Sequence, residues 1–112
     1  NIKEREFEGQ TWSHITDSII NHLPRQVYIS FDIDGLDPKL CPHTGTPVPG
    51  GFEMHQLIYL FKKLVESGRK LIGFDLVEVG VGDGSMDSNT GARLLWKLCN
   101  LVIKSNINEE EV

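Results

Sequence analysis

Two strand-like runs separated by a helical segment constrain this chain more than any other feature. Val27, Ile29, Phe31 and Ile33 alternate with Tyr28, Ser30, Asp32 and Asp34, so Val27 to Asp34 reads as a strand with one apolar and one polar face. Leu71 to Val79 is a nearly continuous apolar run interrupted by Asp75 and Glu78, as expected of a strand buried on both faces of a parallel sheet. Between them, Met54, Leu57, Ile58, Phe61, Leu64 and Val65 recur at helical spacing from about Glu53 to Ser67. Gly68 comes next, where a left-handed cap is wanted. Strand, helix, strand in this order is a βαβ unit with parallel strands and a right-handed crossover. Two parallel strands do not stand alone, so at least two more are expected from residues outside this sequence or from another chain.

The flanks predict two further helices. Trp12, Ile15, Ile19 and Leu23 form one stripe from Thr11 onward, and Pro24 ends it because the residue before a proline avoids the α region. Residues 1–10 are polar and of mixed charge, and read as an exposed connection. A last helix is expected from Asn89 or Thr90 to about Lys104, capped by Ser88 or Asn89, with Ala92, Leu95, Trp96, Cys99, Val102 and Ile103 as its core stripe.

Composition closes off several classes. The 112 residues carry 39% hydrophobic and 24% charged side chains, the balance of a globular chain rather than a disordered one. A net charge of −5 disfavours nucleic-acid binding, which rests on neutralising phosphates. Part of that charge is the acidic run Glu109 to Glu111, read as solvated. No apolar run is long enough to span a bilayer, and the polar opening Asn1 to Glu8 does not resemble a signal peptide, so neither membrane nor secretion is expected. Cys41 and Cys99 fit no metal or redox spacing and read as reduced thiols of a cytoplasmic protein.

The chemistry gathers around the first strand's end. Alternation puts Asp32 and Asp34 on one face, about 7 Å apart along the strand, at the C-terminal edge where open α/β sheets place their ligands. Adjacent carboxylates repel, and a hard divalent cation removes the conflict. A solvated strand end entering a turn is the plainer explanation; the alternation, Asp37 and the shaped loop beyond it favour a metal. That loop, residues 35–51, has eight Gly or Pro among 17 residues, yet its mixed Asp, Cys, His and Thr content is not that of a linker. Glu78, in the second apolar run, should point out of the same sheet edge. Its partner is either a structural arginine such as Arg69 or Arg93, or a cationic substrate gripped in bidentate fashion. Of the histidines, only His43, in the loop, can approach this edge. Cys41 reads as a packing residue. An EF-hand counted from Asp32 or from Asp83 fails at its glycine and glutamate positions, and Gly80 to Gly84 lacks the spacing of a dinucleotide loop.

Ser30-Phe31-Asp32-Ile33-Asp34-Gly35-Leu36-Asp37-Pro38, followed by Pro42, Thr44-Gly45-Thr46-Pro47 and Gly50-Gly51, resembles the C-terminal metal-binding motif of the ureohydrolases. That family includes arginase, agmatinase, formimidoylglutamase, guanidinobutyrase and proclavaminate amidinohydrolase. Asp75 to Val79 and Asp87 to Ala92 are similar to the family's subsequent segments, and the resemblance runs from about Glu8 to Leu101. It implies a three-layer αβα fold with a parallel sheet, of which residues 1–112 would be the C-terminal part of a single domain. It also implies a pair of Mn²⁺ ions activating a bridging hydroxide that attacks a guanidinium or formimino carbon. Asp32 would bridge the metals and Asp34 would chelate one. Glu78 would hold the amidine end of a small cationic or formimino-amino-acid substrate, and Thr46 would lie beside it and orient it.

The family's other metal motifs, Gly-Gly-Asp-His and Asp-Ala-His-x-Asp, are absent. The remaining ligands are therefore expected upstream, in the N-terminal part of the same enzyme, and this portion alone is expected to be inactive. His43 stands where the family has a small residue, and Gly80-Val81 replaces an Asn-Pro, which leaves the substrate open. The resemblance further implies a homo-oligomer. The alternative is a non-catalytic binding or assembly module of the same fold; a deacetylase on the related metal-dependent fold fits the Thr-Gly-Thr-Pro loop less well.

Overall fold

The computed structural model describes residues 2–107; the acidic run Glu109 to Glu111 lies outside them. The elements in order are α1 (Ile2–Phe7), α2 (Trp12–Asn21), β1 (Gln26–Asp32), a 3-10 turn (Ile33–Gly35), α3 (Met54–Glu66), β2 (Lys70–Val77) and α4 (Met86–Asn106). β1 and β2 pair in parallel, as the strand–helix–strand order requires, from Gln26 opposite Lys70 to Asp32 opposite Val77. A register irregularity falls between Val27 and Tyr28.

The alternation in β1 is realised residue by residue. Val27, Ile29 and Phe31 are buried, and the intervening residues are exposed. These inward side chains join Leu71 from β2, Leu57, Phe61 and Leu64 from α3, and Leu94 and Leu98 from α4 in one core. Phe31 and Phe61 meet edge to face at 6.2 Å between centroids. The helices thus cover one face of the sheet. On the other face Tyr28 and Ile72 stand exposed, while Tyr28 and Ser30 donate hydrogen bonds to the Asp75 carboxylate at 3.1 and 3.0 Å. Among the described residues, no helix is long and apolar enough to cross a membrane.

Helix boundaries reflect local chemistry. Thr11 caps α2 by accepting from the His14 N–H at 3.1 Å. In α3 the Gln56 side chain accepts from the Glu53 N–H at 3.0 Å, and Gly68 takes the left-handed conformation just past the end. α2 buries Ile15, Thr16 and Ile20, with Trp12, Ile19 and Leu23 only half-buried, so its stripe sits slightly off the one the periodicity picks.

Two expectations fail. Residues 2–7 form a short helix rather than an exposed connection. The last helix begins at Met86 behind Ser85, three or more residues before the expected cap, and its buried stripe is Asp87, Thr90, Gly91, Leu94 and Leu98. Leu95, Trp96, Cys99 and Ile103, assigned to the core from periodicity, are exposed. α4 carries two apolar stripes, and spacing does not choose between them; polar anchors do. Thr90 donates to the Leu40 carbonyl at 2.7 Å and Asp87 accepts from His43, and both fix which side turns inward. Replacing Leu98 by Ala should therefore cost about 2–5 kcal/mol in urea unfolding, whereas Lys97→Ala, one residue away, should change stability by at most about 0.5 kcal/mol.

Candidate active site

Because β1 and β2 end together, the segments after both strands leave the sheet at one edge. Asp32 closes β1 with its side chain exposed. Its Oδ1 accepts from the Asp34 N–H at 3.1 Å, the local bond by which an aspartate starts a turn. That bond ends the strand: Asp34 lies in the 3-10 turn, not on β1 as strand alternation predicts, while Ile33 remains buried beneath it.

The Gly- and Pro-rich loop is ordered by closure at its base. Asp37 N–H donates to the Phe52 carbonyl at 2.9 Å, and Phe52 N–H to the Gly35 carbonyl at 2.8 Å. Within the loop, Cys41 is fully buried and its thiol donates to the Ile33 carbonyl at 3.3 Å. Burial first, and then the carboxylates of Asp87, Asp34, Asp37 and Asp32, push that thiol's pKa up, so it is a protonated packing group rather than a nucleophile.

Closure brings Thr44-Gly45-Thr46 across both strand ends. The Thr46 hydroxyl donates to Asp34 Oδ2. Thr46 was expected to orient Glu78; its bond instead goes to the carboxylate after β1. A Cβ on Gly45 would lie 3.1 Å from Glu78 Oε2, which places the Glu78 carboxylate against this segment. The buried Thr44 hydroxyl donates to the Glu78 carbonyl at 2.9 Å. Glu78 itself lies just past β2, exposed, with φ +67°. A left-handed glutamate costs about 1–3 kcal/mol and persists only where its surroundings impose it. No arginine pairs with it among the described residues; Arg69 donates to the Leu23 carbonyl instead.

His43 pairs with Asp87 rather than with Asp32, Asp34 or Glu78. Its backbone N–H donates to Asp87 Oδ1 at 3.0 Å, and its ring Nδ1 meets Asp87 Oδ2 at 2.9 Å, tying the loop to the first turn of α4. Asp87 is buried, which raises its pKa, but the bonds from the His43 ring and backbone outweigh burial and hold it below the usual 3.8. The approach is so close that a side chain on Gly80 would run into the His43 carbonyl. Asp87 and Thr44 stand in segments that carry the family resemblance, but the sequence assigns neither a role, because each makes its contact more than 30 residues away. His14, His22 and His55 are exposed on α2, its C-cap and α3.

Among the described residues no three His, Cys, Asp or Glu side chains gather as a complete ion site. Asp32 and Asp34 offer oxygen donors only, suited to a hard cation, and further donors would be needed to complete its shell.

The depressed Asp87 value fixes a sign for acid stability. Its contribution is complete above the ordinary unfolded value and is lost as pH falls through the lower folded value. Melting temperatures recorded from pH 6 downward should therefore include a loss below about pH 4 that is smaller in Asp87→Asn.

The model of the Arginase family matches residues 1–100. An agmatinase from Pyrococcus horikoshii is 38% identical, the match covering 79% of this chain and 34% of that protein. An N(1)-aminopropylagmatine ureohydrolase from Thermus thermophilus is 35% identical, over 76% of this chain and 29% of its own length. Among solved structures, proclavaminate amidino hydrolase from Streptomyces clavuligerus superposes with a TM-score of 0.76 at 30% identity, covering 91% of this chain and 34% of the other. An arginase from Bacillus subtilis gives 0.69 at 26% identity. The chain spans about a third of the length of these relatives. With its parallel strands, its shaped loop and this match across nearly its whole length, the chain belongs to the arginase family, as one portion of the larger arginase fold.

Proposed function

We propose that the protein to which this chain contributes is a ureohydrolase, using Mn²⁺ to hydrolyse a C–N bond of a linear amidine, either guanidino or formimino. The observation that carries this reading is the single stretch Thr44-Gly45-Thr46, which touches Asp34 on one side and Glu78 on the other. It sets a pair of oxygen donors and a separate carboxylate along one sheet edge. A binding or assembly module has no need of both. The names of the relatives, agmatinase and aminopropylagmatine ureohydrolase among them, agree with that chemistry.

In this reading Asp32 and Asp34 hold the metal, with the remaining ligands supplied by the rest of the protein. A metal pair bound there would lower the pKa of a water and so supply the nucleophile. The chain's own residues do the rest. Thr46 fixes the Asp34 carboxylate by donating to Oδ2, leaving its other oxygen free. Glu78 accepts two N–H groups of the amidine in the planar fork that carboxylates offer guanidinium groups, orienting the carbon to be attacked. The exposed sheet face carrying Tyr28 and Ile72 is where the remaining length packs, since parallel sheets bury both faces. Without it the portion alone is inactive.

Two substitutions in the full-length protein separate these roles. Asp32→Asn should lower metal content and cut turnover by about 100-fold or more, and turnover equal to wild type would remove the metal assignment. Glu78→Gln should keep the metal and reduce kcat/KM by about 100-fold, the scale of a lost charged hydrogen-bond pair. If neither KM nor kcat moves, Glu78 is merely structural.

A further inference from the structure

Among the described residues, Glu78 is the one non-glycine with positive φ. The reason lies in strand parity. In β2, Asp75 faces the exposed side with Tyr28 and Ser30, while Phe74 and Leu76 pack against the core. A strand continued regularly to residue 78 would direct Glu78 inward with Phe74 and Leu76. The left-handed turn at Glu78 breaks that parity and leaves its carboxylate exposed beside Gly45.

Nothing in glutamate favours that conformation, so neighbours must impose it. The Thr44 hydroxyl, itself buried, donates to the Glu78 carbonyl at 2.9 Å and fixes the peptide just after the turn. Thr44 is in turn held from behind: the adjacent His43 is bonded through both backbone and ring to Asp87 in α4, and the Thr44 N–H donates to the Cys41 carbonyl at 3.2 Å. The Thr46 hydroxyl is engaged with Asp34 instead.

We propose that Thr44, anchored by the His43–Asp87 pair, is the positioning residue for Glu78: its hydroxyl holds residue 78 in the left-handed conformation that aims the carboxylate at substrate. Thr44 touches no reacting atom and acts only through the Glu78 backbone. The claim about substrate rests on the ureohydrolase reading; the claim about the backbone does not.

The test uses the full-length protein and three variants: Thr44→Val, which keeps shape and removes the hydroxyl, Thr44→Ser, which restores it, and Asp87→Asn, which loosens the anchor. Amide hydrogen exchange is monitored at residues 78–80, with Ile29 and Phe74 in mid-sheet as controls. Kinetics are measured on arginine, agmatine and formiminoglutamate. Thr44→Val should speed exchange at 78–80 about tenfold with the mid-sheet controls unchanged, and raise KM about tenfold with metal content as in wild type. Thr44→Ser should return both to within about twofold, and Asp87→Asn should shift both in the same direction by less. Unchanged exchange in Thr44→Val overturns the positioning role, as does faster exchange with an unchanged KM. If Thr44→Val does not fold, Asp87→Asn carries the test, and a KM unmoved beside faster exchange overturns the proposal. Wild-type protein that turns over none of the three amidines defeats the ureohydrolase reading instead. Exchange then decides the backbone claim by itself: equal rates in Thr44→Val and wild type overturn it.

Discussion

The parallel pairing of β1 and β2, in step until Asp32 meets Val77, is the constraint on which the rest depends. Parallel strands deliver their C-terminal ends to one edge, and only there can the residues after two different strands face one another. The pairing places Asp34 and Glu78, 44 positions apart in sequence, on either side of a single three-residue stretch of loop. An antiparallel arrangement of the same segments would send them to opposite ends of the sheet.

The loop between β1 and α3 turns that shared edge into a shaped site. Its base is closed by two backbone hydrogen bonds between Gly35, Asp37 and Phe52, its middle is plugged into the core by Cys41, and its far side is tied to α4 through His43–Asp87 and Thr90. Each tie uses a buried or half-buried polar group that would be costly to leave unpaired, so the loop's order comes from satisfying its own hydrogen bonds. The strained backbone at Glu78 is joined to this network through the Thr44 hydroxyl. The ordered surroundings offset a local cost that an isolated strand end would relax.

Much of this was legible in the sequence where a single local rule governs. The β1 alternation, the α3 stripe and the Gly68 cap each depend on residues close in the chain, and each was read as it stands. The family resemblance drew attention to Asp32, Asp34, Thr46 and Glu78, all of which lie at the shared edge. What escaped depends on contacts at long range, with one local exception. Asp34 leaves the strand because Asp32 captures its N–H, a choice the alternation does not record. Thr46 bonds to Asp34 and Thr44 to Glu78, a division of labour fixed by how the loop crosses the edge. α4 begins within a Gly- and Ser-containing stretch with weak helix propensity, and it turns its Leu94 and Leu98 stripe inward because Asp87 and Thr90 are anchored to the loop. The second apolar stripe, with Leu95 and Trp96, satisfied the same periodicity and misled it.

The central claim is that this edge is one part of a metal-dependent amidine hydrolase whose remaining ligands lie elsewhere in the protein. It is tested most directly by metal analysis and Mn²⁺-dependent release of urea or formamide, measured on the full-length protein and on residues 1–112 alone in parallel. About two Mn²⁺ per full-length chain with turnover, and neither in the isolated portion, is the predicted result. A full-length protein that binds no metal and releases neither product would contradict the account and leave a non-catalytic member of the arginase fold.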